Sequence, residues 1–352
     1  MLGERIERAR RWKGLALREL AARSGVSHTA IRNYEKGLRT PGSRQLLALA
    51  KALGVRTEYF FRQQRISLAD VEYRKRASTP KKVLDQIRED VIEQAERWSE
   101  LLSFFPKRPI RSFEVPRPLP AVESLPDVER VADHVRQAWQ LGHSPIPDLI
   151  DVLEAFGIIV ITTEIDHDQK FDGLAGAVAG TPVIVVSEHW TGDRQRFTLA
   201  HELGHRLLEG HLPPGVDEEK AANRFAGAFL LPASQVRGRL GEQRTRIDAQ
   251  ELLLLKQEFG LSMMAALYRA LDCEVITRSY FSRLMKRFSK FGWRREEPGE
   301  PYPPERTVLF EHLVYRALSE QMIGESKAAE LLGQSMASFH QQRKLMTHVA
   351  GQ

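Results

Sequence analysis

The residues best equipped for chemistry are His201, Glu202 and His205, inside the run FTLAHELGHRLL at 197–208. Histidines four positions apart share one helix face, about one turn from each other, so both imidazoles can bind one tetrahedral ion. Glu202 is rotated about 100° from His201. In this pattern such a carboxylate acts as a general base: it takes a proton from the attacking water and passes it to a leaving amine. A bound Zn²⁺ brings the pKa of a water to about 7, which makes hydroxide available near neutral pH. Phe197, Leu199, Leu203, Leu207 and Leu208 give the helix an apolar body to bury. The plain alternative for so short a pattern is a pair of partly buried core histidines.

A second chemistry is written in charge. The first sixty residues hold 13 Lys and Arg against 5 Glu, a net +8, which leaves −2 for the rest of the +6 chain. A basic field so confined points to a polyanion-binding module attached to something else. Within it, LRELAARSGVSHTAIRNYEKG at 17–37 reads as two short helices about a tight turn. Ala21 is small where the helices cross, Gly25 makes the turn, and Val26 and Ile31 bury the second helix against the first. Ser27 is placed as its N-cap. His28, Thr29, Arg32 and Asn33 are then left to meet base edges, and Arg18, Arg23, Lys36 and Arg39 to bind phosphates.

These candidates need elements to position them. Leu2, Ile6 and Ala9 mark a first helix, and 43–53 a fourth, stopped by Gly54. Residues 62–78 are charged and read as irregular. Thr79-Pro80 opens one amphipathic helix to about 104, through Val83, Ile87, Val91, Ile92, Ala95 and Trp98. Five prolines between 105 and 125 predict an extended linker. From Asp127 the pattern is α/β: helices at 128–139 and 146–155, then β-branched strands at 158–161 and 182–186. Gly173–Gly180 between them predicts a third strand, at a sheet edge. The His201 helix follows, then one from about Asp217 to Leu231, stopped by Pro232. The remainder reads as helical apart from a basic, aromatic strip, Tyr280 to Arg295, and a break at Pro298–Pro304. Ser326–Ser335, with Gly333 at a turn, has helix–turn–helix spacing and is read as ordinary helical packing or a dimer contact.

Residues 17–37 resemble the helix-turn-helix of the XRE (phage-repressor-like) family, over about sixty residues. The run RQRFTLAHELGH at 194–205, with FDG at 171–173 upstream and ANRFA at 222–226 and LLP at 230–232 downstream, resembles the ImmA/IrrE family of metallopeptidases over roughly 127–290. That resemblance implies a zincin-like fold, with a Glu on the following helix as third metal ligand. Glu219, fourteen residues after His205, fits, and Asn223 one turn on would hold an imidazole. Glu218 is its neighbour in the sequence. The rival ligand is His211, which completes the histidine spacing of metzincins, although Leu208 stands where they use a glycine and Gly210 comes two residues later. Zn²⁺ suits two His and a carboxylate, and Mn²⁺ or Fe²⁺ fit the same donors.

The expected fold class is therefore mixed and mainly α. An all-α helix-turn-helix domain at 1–70 precedes a linker helix and Pro-rich linker at 71–125. An α+β metallopeptidase domain follows at 126–290, then a helical region at 291–352. The single cysteine, Cys273, excludes an intramolecular disulfide, and no apolar run approaches the length of a membrane span. A cytoplasmic protein with no membrane partner is expected. Its partners are double-stranded DNA, a repressor protein as substrate, and a second copy in a homodimer. Two functions compete: an endopeptidase held near operators that cuts a repressor or itself, releasing stress-response or mobile-element genes, and a regulator whose peptidase-like fold only senses a metal or ligand.

Overall fold

Gly25 ends the second helix in the left-handed region at φ 68°, with its N–H on Ala21 O. Ser27 Oγ then accepts from Ala30 N and starts the third. Around this turn are packed α1 (Leu2–Trp12), α2 (Leu17–Ser24), α3 (His28–Glu35) and α4 (Ser43–Leu53). Ile6, Leu20, Ile31 and Leu49 form a core of their own, closed by Tyr59 and Phe60 from a 3₁₀ turn, Thr57–Phe61. The computed structural model describes residues 2–62, 69–75, 81–165, 171–178 and 180–347.

The stretch read as irregular, 62–78, contains a strand, β1 (Ala69–Lys75); residues 63–68 and 76–78 lie outside the described ones. The helix expected next is α5 (Lys81–Ser103). It is no free connector. α1 docks on it, with Arg5 and Arg8 on Glu96, Arg8 on Glu89 and Trp12 Nε1 on Asp90. Elsewhere it packs on β2 (Ile159–Thr163) and α14 (Leu309–Ser319). The Pro-rich run is a strap laid on the protein: Phe105, Ile110 and Val122 are buried, and Phe113, Val115 and Leu119 pack on the main core. Prolines suit it because they fix φ and need no hydrogen-bond acceptor.

The rest of the chain runs α6 (Val128–Ala138), α7 (Leu149–Ala155), β2 (Ile159–Thr163), β3 (Phe171–Val178), β4 (Thr181–Ser187), α8 (Gly192–Leu208) and α9 (Glu218–Leu230). Then come α10 (Ala233–Leu240), α11 (Ala249–Phe259), α12 (Met263–Asp272), α13 (Arg278–Phe291), α14 (Leu309–Ser319), α15 (Glu325–Leu331) and α16 (Met336–Thr347). The sheet order is β1-β3-β4-β2, with β2 parallel to β4 and the other two pairs antiparallel. The glycine-rich strand is therefore not at the edge, because β1 covers its outer side.

The sheet lies between two layers. Val160, Ile184 and Val186 face the core built with α6–α9, while Ile159, Ile161, Val183 and Val185 face a second core built with α5 and α14–α16. Alternate residues thus feed opposite cores, which is why β2 and β4 read as unbroken apolar runs. The basic strip expected to be non-helical is largely α13: Phe281, Leu284 and Phe288 are buried at helical spacing, and the cations face away. Ala328, Ala329, Leu331 and Phe339 of α15 and α16 fill the second core.

Candidate metal centre and DNA-facing helix

Leu199, Leu203 and Leu207 bury one side of α8 in the main core, which leaves His201 and His205 on the side towards α9. Gly204 allows the close approach: a Cβ there would sit 3.0 Å from Phe225 Cδ1. Asp217 caps α9 by accepting from Lys220 N at 2.9 Å and so fixes Glu219 in the first turn. The outcome is a convergence. His201 Nε2 and His205 Nε2 are 3.2 Å apart; Glu219 oxygens lie 3.5 Å from the first and 3.8 Å from the second. A tetrahedral ion held at about 2.0–2.1 Å spaces its ligands about 3.4 Å apart. The three donors fit one such ion, and among the described residues they form the one His/Cys/Asp/Glu group of this kind. Glu219 is 62% exposed on its side chain, so the site opens outward.

His201 Nδ1 lies 3.1 Å from Asn223 Oδ1. A carbonyl oxygen only accepts, so Nδ1 carries the proton and the Nε2 lone pair faces the cluster. Glu202 is buried at 3% exposure and lies on the sheet side: a Cβ on Gly173 of β3 would be 3.8 Å from its Oε1 and 2.6 Å from Thr198 Cγ2. His211 is elsewhere, its Nε2 2.8 Å from Pro120 O on the proline strap. Glu218 does not join the cluster.

The sequence reading missed what holds α9 in place. Arg269 of α12, 1% exposed, donates to both Glu129 oxygens at 2.9 and 3.1 Å and to Leu231 O at 3.0 Å. Arg224, one residue after Asn223, joins Glu129 at 2.6 Å and Asp272 at 2.9 Å. Burial drives the Glu129 carboxyl up, but the two guanidiniums outweigh it and hold it below the usual range. The only sequence signal was an acidic residue in the first turn of an otherwise amphipathic helix.

On the basic domain, Arg18, Ser27, His28, Thr29, Arg32, Lys36 and Arg39 are exposed, and Asn33 is half-buried. Ser27 already spends its oxygen on the cap. Asn33 O accepts from Leu38 N and Arg39 N, which folds the loop after α3 and brings Arg39 beside the same face.

A helix-turn-helix family profile matches residues 6–60, and the profile of the IrrE N-terminal-like domain, of peptidase family M78, matches 153–271. Two relatives from Sinorhizobium fredii carry the names uncharacterized HTH-type transcriptional regulator y4wC and y4dJ. They are 35% identical over 60 residues and 44% identical over 55, which is 17% and 16% of this chain. The chain spans 42% of the first relative's length and 71% of the second's. The fold and the matches define a class: a helix-turn-helix domain joined to a metallopeptidase-like domain. Within that class the chain belongs to the XRE-type helix-turn-helix family, with an ImmA/IrrE-like M78 domain as its second part. Among the described residues no helix is long and apolar enough to cross a membrane.

Proposed function

We propose that this protein is a DNA-bound transcription regulator that carries a metal-dependent endopeptidase. The observation that carries the reading is the convergence of His201, His205 and Glu219 at one point, with the buried Glu202 next to His201 in the chain. When bound there, Zn²⁺, or Mn²⁺ or Fe²⁺, supplies Lewis-acid polarisation of the scissile carbonyl and acidifies water. The chain's own residues do the rest. Asn223 orients His201 through Nδ1. Glu202 takes the water's proton and delivers it to the departing amine. The basic domain holds this chemistry near an operator, where a partner repressor or a second copy of the chain is the substrate that fits. Its cleavage would release stress-response or mobile-element genes.

The second reading, a sensor without proteolysis, uses the same ligands but has no need for a proton shuttle. The presence of Glu202 favours the first. Metal analysis of the purified protein separates ligand assignments. About one ion per chain is expected, kept in Glu202→Gln and His211→Ala and lost in Glu219→Ala and His201→Ala. A His211→Ala protein without metal would transfer the third ligand to His211. Cleavage of candidate repressors by wild type and not by Glu202→Gln then decides between peptidase and sensor.

A further inference from the structure

β3 and β4 both lie against α8, and on β3 a Cβ at Gly173 would lie 3.8 Å from Glu202 Oε1. One side of β3 pairs with β4. The other side is the edge on which an extended peptide could add by main-chain hydrogen bonds, with side-chain specificity at alternate positions. The chain itself fills that edge. β1 runs antiparallel to β3, with Lys75 opposite Phe171, Arg74 opposite Gly173, Tyr73 opposite Leu174 and Glu72 opposite Ala175. Neighbouring strands lie about 4.8 Å apart. The backbone at Arg74 is therefore one strand spacing from the glycine whose absent Cβ would lie 3.8 Å from the Glu202 carboxylate.

β1 differs from β2 and β4 in two ways. Its sequence, ADVEYRK, lacks the apolar run of β2 and β4. Its register breaks twice within seven residues, between Ala69 and Glu72 and between Arg74 and Lys75. A ladder interrupted twice within seven residues leaves backbone groups unpaired, so this pairing is held less firmly than the unbroken ladder of β2 on β4. In sequence it lies between the helix-turn-helix domain and α5.

We propose that β1 is an internal ligand of the peptidase cleft: it occupies the β3 edge as an extended substrate peptide would, and an incoming peptide must displace it. This rests on the peptidase reading for its chemical consequence, not for the occupancy itself. The consequence is that the strand edge beside the site is occupied at rest by a segment tethered to the DNA-facing domain. A substrate that wins the edge is then hydrolysed in balanced form. Water oxygen joins the carbonyl carbon, the C–N bond breaks, one water proton reaches the amine through Glu202, and nothing is oxidised.

The test is hydrogen–deuterium exchange of the full chain in a Glu202→Gln background, so that no cleavage intrudes. Two loosened forms are compared with it: the Glu72→Pro, Tyr73→Pro double substitution, which removes ladder donors, and a length-matched Gly/Ser replacement of 69–75. In both, β3 amides should exchange at least tenfold faster while β4 and α8 keep their protection, which also shows that the domain is folded. A blocked synthetic peptide of residues 69–75 should restore β3 protection in the loosened forms and leave the unaltered chain unchanged. Unchanged β3 exchange in both loosened forms, or equal protection by the peptide with β1 intact, overturns the proposal. Failure of the peptidase reading would show instead in metal content and cleavage, and would leave these exchange results standing.

Discussion

Asn223 decides which nitrogen of His201 faces Glu219, and it does so with one hydrogen bond at 3.1 Å. Its removal leaves the ligands in place but frees the ring to turn and to change tautomer. Asn223→Ala should keep its fold and lose about 10–100-fold in metal affinity, read by chelator competition; an unchanged affinity would remove Asn223 from the site. Glu154 shows a different kind of control. Burial pushes its carboxyl up from an ordinary 4.5 to about 7, against hydrogen bonds that include one from the Thr307 hydroxyl at 2.5 Å. A carboxyl whose folded-state pKa is raised binds a proton on folding. Its contribution is complete below pH 4.5 and is lost as pH rises through about 7. The change is on the order of 3 kcal/mol. Glu154→Gln, which stays neutral, should flatten the stability–pH curve between pH 4.5 and about 7, the interval between the two pKa values, and stabilise the protein at its upper end, as measured by urea unfolding. A wild-type curve already flat there would rule the mechanism out.

At the scale of elements, α5 joins the two halves of the chain. Glu96 receives both Arg5 and Arg8, and Glu93 receives Arg62 and Arg97. Arg5 is buried, so Glu96→Ala removes a carboxylate that two guanidiniums share inside the interface and should cost about 3–5 kcal/mol. The exposed pair of Glu7 and Arg11 gives the control: Glu7→Ala should change stability by less than about 1 kcal/mol. Equal effects of the two would mean that α1 does not rest on α5 in solution. How much of this the sequence revealed follows from range. The turn at Gly25, the cap at Ser27 and the pairing of His201 with His205 rest on residues a turn or two apart, and they are legible. Glu219 and His211 are both open as third ligand in the sequence, with Glu219 favoured because Leu208 stands where metzincins use a glycine; in the structure Asp217 starts α9 so that Glu219 joins the histidines, and His211 lies on Pro120. β1 was missed because the alternation of Ala69, Val71 and Tyr73 with Asp70, Glu72 and Arg74 is short and set among charged residues, and its partner, β3, comes about a hundred residues later. α13 was misread because Arg283, Lys286, Arg287 and Lys290 hide the spacing of Phe281, Leu284 and Phe288. The role of Gly173 needs α8 opposite it before it can be seen at all.

At the scale of the molecule, the sheet separates two tasks and α5 connects them. One face carries α8 and the candidate metal ligands; the other carries α5, on which the helix-turn-helix domain rests. The charge follows the same division, with +8 in the first sixty residues and −2 in the remainder. A molecule so divided should be drawn to DNA through one end only, leaving the peptidase-like face free. Four cations flank the reading face of α3: Arg18, Arg23, Lys36 and Arg39, all exposed. If each displaces one phosphate counterion, log affinity should fall with log salt at a slope of about −3.6 per domain, and twice that for a dimer on two half-sites. Lys36→Ala should make the slope shallower by about 0.9 and weaken all duplexes alike. Thr29→Ala should keep the slope and reduce only the preference among sequences. Fluorescence anisotropy across a salt series measures both. A wild-type slope near zero would mean that the basic domain does not bind the backbone, and a loss of sequence preference in Lys36→Ala without a change of slope would exchange the roles assigned to the two residues.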